Sequence, residues 1–420
     1  MDLKAIPFLS ALEQYEKQAE ELLEANRSGD SQAIRVIHEN HPRFLDTRIP
    51  WLPKNLSDSE IRNAPFELAD AQLTIARWYS FQGWPALAEY VQAVTREGSP
   101  VFQFESAVEA VITGDLATLE SLLRGNPELV RSRSTRITHF DPPMHRATLL
   151  HYVGANGVEG YRQKTPLNAV EIAKTLLQAG ADVDALADMY GGQYTTMSML
   201  VSSCHPAKAG VQVALVETLL DGGASIEGRG SAQWGSPLMT ALIFGYRSAA
   251  EALLSKRAQR NAAAAFLDPC EDAAASSAVL GRDARVDAIA AAAGLGRLAD
   301  AAQLLPTAGP ENRHRALALA AQHGHVEIVR LLLDAGEDPN RYNPDGYHSH
   351  ATPLHQAVMA GHDAVVRLLV ERGARLDIKD TIFQGTPLGW AIYAGQTDIE
   401  KHLRAHGEKT AEELGQPGRG

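Results

Sequence analysis

Cysteine is nearly missing: two residues, Cys204 and Cys270, in a chain of 420. They allow at most one bridge, which excludes a disulfide framework and fits reduced thiols in a cytosolic chain. Aromatics are scarce at 6%, and long Ala-rich stretches favour helix–helix packing over a β-sandwich. An excess of positive charge is absent too. Asp and Glu outnumber Lys and Arg by 51 to 39, a net charge of −12. Such a chain presents no general field for phosphate, so nucleic acid is not an expected partner. Long apolar runs are also missing. None approaches the ~18 residues of a bilayer span, so no membrane partner is expected. The start, Met1-Asp2-Leu3-Lys4, has no basic n-region, and Pro7 interrupts its short apolar run. A signal peptide is not expected, and the expected location is the cytoplasm.

What the chain does have is self-similarity. Its length exceeds one ordinary globular core, so it must divide into domains or extend as an array. Thr352-Pro353-Leu354-His355 leads to Gly361-His362, then to Val365-Val366-Arg367-Leu368-Leu369 and Gly373-Ala374. Thr386-Pro387-Leu388 restarts the pattern 34 residues later and reaches Gly395, Ile399, Leu403 and Gly407. The preceding unit runs from Ala320 through Gly324-His325 and Val326–Leu333 to Gly336. Each residue type has a physical role. A Thr hydroxyl caps the first helix, and Pro fits its first position. Ala357 and Ala391 let paired helices approach. Gly361 and Gly395 end the first helix in a left-handed conformation, which predicts a positive φ at both. The Leu and Val residues of the second helix recur at helical spacing as a stacking face.

These three units resemble the ankyrin-repeat family closely, and the period is within one residue of that family's. The resemblance implies an all-α ankyrin-repeat solenoid and a binding role; it names no partner. With the template in hand, earlier units become legible. They start near Phe104, Thr148, Thr195, Ser236 and Ile289, about eight units over residues 102–407. The first hundred residues differ, although Glu24–Pro42 lines up with Glu109–Pro127 around Gly29-Asp30 and Gly114-Asp115. They read as an N-terminal helical cap with traces of degenerate repeats, since a bare terminal repeat would expose its apolar face. The Leu68–Gln72 segment, Leu-Ala-Asp-Ala-Gln, is similar to the start of bacterial ankyrin-repeat proteins. The expected division is a cap at 1–100, repeats with insertions at 101–258, a linker at 259–285, C-terminal repeats at 286–407 and a flexible tail at 408–420.

Two features go beyond a plain array. Insertions interrupt the repeats at 131–146, 158–168, 203–210 and 259–285. The first is basic, with Arg131, Arg133, Arg136 and Arg146, and could dock an acidic surface or simply be a solvated loop. The turns between units, the fingers, each place an aromatic beside glycine. The candidate partner-binding residues are Tyr190, Tyr194, Trp234, Arg341, Tyr342, Tyr347, His348, His350 and Phe383. Rings at equivalent places in a stack should share one side and remain partly exposed, a composition typical of binding hot spots. The competing reading makes them internal plugs.

Catalytic and metal chemistry finds little support. His139, Asp141 and His145 are close in sequence but match no zinc spacing. No phosphate loop and no nucleophile elbow is present. The expectation is a non-enzymatic, monomeric scaffold that binds a protein, without a cofactor. The alternative is an enzyme or small-molecule binder whose pocket is walled by residues 131–168, joining His139, Asp141, His145 and Tyr161.

Overall fold

The computed structural model describes residues 3–49, 51–230, 235–267 and 282–415. Trp234, Cys270, much of the expected linker and the last five residues lie outside them. The described residues form two units, Met1–Ala232 and Gln233–Gly420.

Helix pairs build both units. In the first, Pro100–Thr113 pairs with Leu116–Gly125, Leu149–Gly154 with Ala169–Gln178, and Thr196–Leu200 with Gln212–Asp221. In the second, the pairs are Pro237–Ile243 with Arg247–Leu267, Arg282–Gly294 with Leu298–Leu304, Pro310–Gln322 with Val326–Asp334, Pro353–Met359 with Asp363–Glu371, and Pro387–Tyr393 with Thr397–Ala405. First helices pack on first helices. Arg282–Gly294 touches Pro310–Gln322, which touches Pro353–Met359, which touches Pro387–Tyr393. Second helices form their own row. Each pair mainly meets its sequence neighbours, as a stacked array requires.

The starts and stops follow local chemistry. Ser236, Thr195 and Thr386 accept hydrogen bonds from the third residue of their helices. Gly361 and Gly395 have φ of 75° and 67°, as expected from the repeat pattern. The Ala and Leu residues of the first helices form the interior of the second unit, with Leu317, Ala320, Leu354, Ala357, Leu388 and Ala391 buried together.

Within the first hundred residues, Gly29 ends helix Leu12–Ser28 with φ 78°, and Asp30 caps helix Ser31–Asn40. Gly114 and Asp115 do the same for the next array pair. The described residues contain one two-stranded sheet, the hairpin Ala187–Met189 with Gly192–Tyr194. Positive φ at both Tyr190 and Gly191 gives the turn the backbone twist that tight hairpins favour.

Candidate functional site

Two regions carry unusual side chains, one in each unit. In the second unit, fingers and first helices present an apolar surface. Finger 341–351 stands against finger 379–385: Thr381 N–H donates to His350 O at 2.9 Å, and the Tyr342 hydroxyl donates to Lys379 O at 2.7 Å. The later finger is organised by Asp380. Its carboxylate accepts from the backbone N–H groups of Ile382, Phe383 and Gly385 and from the Trp390 indole. Burial would raise the Asp380 pKa, but the His350 ring and these donors outweigh it and hold it at about 2. The backbone is thereby fixed with Ile382 and Phe383 turned outward and exposed. At the far end of the first helices, Met359, Ile392 and Tyr393 are exposed as well, Tyr393 to 80%. Met359 and Tyr393 are 34 residues apart and hold the same place in successive repeats.

The finger residues singled out from sequence divide. Tyr342, Phe383 and Tyr190 are exposed, and Arg341 is exposed beside Glu337. Tyr347 and Tyr194 do not show their rings, which corrects the expectation for both. Tyr347 is 1% exposed and donates its hydroxyl to Ala318 O and Gln322 of the preceding helix. Tyr194 is fully buried, and its carbonyl receives the His151 ring nitrogen at 3.2 Å. These two rings are plugs because a finger standing off its helices needs an anchor. His348 packs between Tyr347 and His350, and burial lowers its pKa to about 4. His350 rests on Phe383 and Trp390.

In the first unit, the basic insertion turns inward. Arg136 is buried rather than solvated, which corrects its place in a basic docking loop. Its guanidinium lies 3.9 Å from the Phe81 ring centroid, 4.7 Å from Tyr90 and 5.3 Å from Tyr161. It donates to the Tyr161 hydroxyl and to Tyr79 O, both at 2.7 Å. Glu159 faces it at 3.7 Å. Beside it, fully buried Arg162 pairs with Glu105 at 2.5 Å, and Tyr90 donates to the same carboxylate. Burial favours the neutral forms of Arg136 and Arg162, yet the facing carboxylates and phenols raise both pKa values. Arg133 is tied to the carbonyls of Arg146 and Leu186. Arg131 pairs with Glu128, and Arg146 is exposed.

The small-molecule alternative loses its geometry here. His139 is half-buried and His145 buried, both rings against Phe140, and burial lowers the His139 pKa to about 4. Asp141 lies exposed, and Tyr161 belongs to the arginine cluster. Among the described residues no group of three His, Cys, Asp or Glu is placed to hold a metal ion. A shallow cavity of about 160 Å³ lies between Leu242, Arg247, Leu295, His323 and His325, but both imidazoles are fixed to the carbonyls of Leu242 and Gly294.

Sequence reasoning missed two groups. Tyr393 and Ile392 carried a signal, large apolar residues off the stacking face just before the helix-ending glycine. The Arg136–Glu159 and Arg162–Glu105 pairs carried none, since Arg162 and Glu105 meet from 57 residues apart.

Comparison with known proteins agrees with this geometry. A family model for ankyrin repeats (3 copies) matches residues 288–380 and 346–413. The chain is 36% identical over 104 residues to mouse ankyrin repeat and SAM domain-containing protein 6, covering 24% of this chain and 11% of that protein. It is 40% identical over 62 residues to the fission yeast ankyrin repeat-containing protein P1E11.10, covering 15% and 28%. Human SH3 and multiple ankyrin repeat domains protein 2 is 31% identical over 98 residues, 23% of this chain and 5% of that protein. The matched stretch thus spans between 5% and 28% of the length of these relatives. No helix among the described residues is long and apolar enough to cross a membrane. By its family match, its glycine-ended helix pairs and its first-on-first helix stacking, the chain carries ankyrin repeats over residues 288–413.

Proposed function

We propose that the chain is a non-enzymatic scaffold that binds a protein partner on the fingers and first helices of its second unit. The carrying observation is the exposed apolar set Tyr342, Met359, Ile382, Phe383, Ile392 and Tyr393, held on a rigid repeat frame. Large rigid side chains on an ordered backbone offer contact area at low entropic cost, which is how hot spots form. Arg341 completes the set as a polar rim. The reading includes a monomer acting in the cytoplasm, an N-terminal cap at 1–100 and a bacterial-type array. The 259–285 linker belongs to this division as well.

A photo-crosslinking residue at position 393 tests the reading, with position 401 on the exposed second helix as control. The expected result is a protein adduct at 393 that is absent at 401. Replacing both Phe383 and Tyr393 with Ala should weaken binding of the recovered partner by about 2 kcal/mol or more while the melting curve holds. Equal adducts at both positions would end the proposal.

A further inference from the structure

We propose that the space filled by Arg136 is an arginine-binding site, occupied in cis by the chain's own insertion and available in trans to an arginine-bearing peptide. The walls have the chemistry of guanidinium recognition. Three rings, from Phe81, Tyr90 and Tyr161, surround the cation. A phenol and a backbone carbonyl accept from its two terminal nitrogens. A buried carboxylate, Glu159, supplies the counter-charge. A planar, weakly hydrated fork suits such a box, and a compact, strongly hydrated ammonium does not.

The resident fits this box incompletely. Arg136 Nε and Glu159 Oε2 are both buried and neither has a hydrogen-bond partner. At 3.7 Å the pair is an ion pair without a hydrogen bond. A guanidinium seated closer to Glu159 would satisfy both groups, so an incoming arginine can bind better than the one in place. Buried polar groups left unpaired are costly, and that cost falls on the closed form. Arg162 makes no hydrogen bond to Glu159 in this arrangement: its Nη2 is held by Glu105 and Tyr90, while its Nε and Nη1 are themselves without a partner. Withdrawing Arg136 would leave Glu105 and Glu159 facing Arg162 alone, a site with one uncompensated negative charge.

The resident arrives the way a bound peptide would. The insertion crosses the Ser80–Phe81 corner, with Thr138 bridged antiparallel to Phe81 and His139 N–H donating to Ser80 O at 3.2 Å. Its other backbone ties are Ser134 N–H to Ala147 O, Thr138 N–H to Pro143 O and, at its far end, Asp188 N–H to His145 O. Lifting residues 135–141 breaks the ties to Ser80 and Phe81, while Tyr90 stays on helix Trp84–Val94 and Tyr161 in the turn Gly160–Arg162. The site lies in the first unit and is independent of the apolar surface proposed above in the second.

Two experiments on the full chain decide the matter. Arg136→Ala vacates the box, and ethylguanidinium at ten times its Kd then shifts folding by ~10-fold, read as a rise in the melting midpoint. Ethylammonium should not produce that rise, and the wild type should respond to neither. Equal effects of the two cations, or no effect, would overturn the proposal. Should Arg136→Ala not fold, hydrogen exchange on the wild type remains. An excess of a peptide spanning residues 132–140 should speed exchange at the Thr138 and His139 amides of the full chain. The same peptide carrying Arg136→Ala should not. Acceleration by both peptides, or by neither, defeats the idea.

Discussion

The two units stabilise similar helix pairs by different means. In the second unit, small and branched apolar residues recur at one spacing, and the principal buried finger carboxylate, Asp380, is met by N–H groups and the Trp390 indole. In the first, the insertions bring Arg136, Arg162, Glu159 and Glu105 inside, where charge answers charge. A regular repeat can satisfy a buried charge from its own turn, because the donors are a few residues away. An insertion cannot, so its charges must find partners on other elements. Charge substitutions should therefore be coupled over long sequence distances at Arg162 and Glu105 and stay local at Asp380.

The largest expected effect lies in the first unit. Arg162→Met leaves Glu105 buried without its cation and should cost about 3–5 kcal/mol. Adding Glu105→Leu should recover most of that loss, since an apolar pair of similar volume often replaces a buried ion pair at no cost. Urea unfolding of the single and double variants measures the coupling. Purely additive losses would show that these charges do not act as a pair.

In the second unit, Tyr347→Ala removes a buried finger anchor. The expected loss is about 3 kcal/mol, against less than ~0.5 kcal/mol for Tyr393→Ala at an exposed site. Thermal melts of the two variants compare plug with surface directly. Similar losses would mean that the exposed residues also hold the fold together.

Much of this contrast was legible in the sequence where the repeat is regular. Thr-Pro starts, Gly361 and Gly395, and the Leu and Val spacing each report a local backbone or packing need, so each can be read without its partners. The choice between ring as plug and ring as surface was not legible. Tyr342 and Tyr347 are five residues apart on one finger, yet Tyr347 reaches Ala318 of the preceding helix while Tyr342 lies along the neighbouring finger. Only the third dimension separates them. The Arg136 box was hidden for the same reason, because its walls come from the Tyr79–Phe81 corner and helix Trp84–Val94 before the insertion and from a second insertion after it.

Glycine substitutions sharpen the local side of the comparison at the next level down. Gly361 and Gly395 share a left-handed backbone. A Cβ at Gly361 would come within 2.8 Å of the Gln396 amide of the following repeat, whereas at Gly395 it would meet nothing within 4 Å. Both Gly395→Val and Gly361→Val should cost about 1 kcal/mol from backbone strain, with Gly361→Val slightly the larger because the flexible Gln396 amide must swing aside. Denaturation midpoints check the order. Equal losses would mean that stacking between repeats adds nothing at this turn.

The smallest expected effect is at the end of the array, and it concerns pH. Glu408 lies buried beneath helix Pro387–Tyr393 and accepts from Leu388 N–H at 2.6 Å, while its other oxygen has no partner. Burial raises its pKa from 4.5 to about 8, against the opposing pull of that N–H and of Arg404. The folded chain thus holds this proton more tightly than the unfolded chain. Its contribution is fully present below pH 4.5 and is lost as pH rises through about 8. The loss has a ceiling. The segment after Ala405 can detach without unfolding the repeat, so the penalty cannot exceed the free energy that docks it, about 1 kcal/mol for a short terminal contact. Glu408→Gln keeps an acceptor for Leu388 and removes the ionisation. Its melting midpoint should match the wild type at pH 5 and exceed it at pH 8.5. An equal difference at both pH values would mean that shape, not charge, sets the role of Glu408.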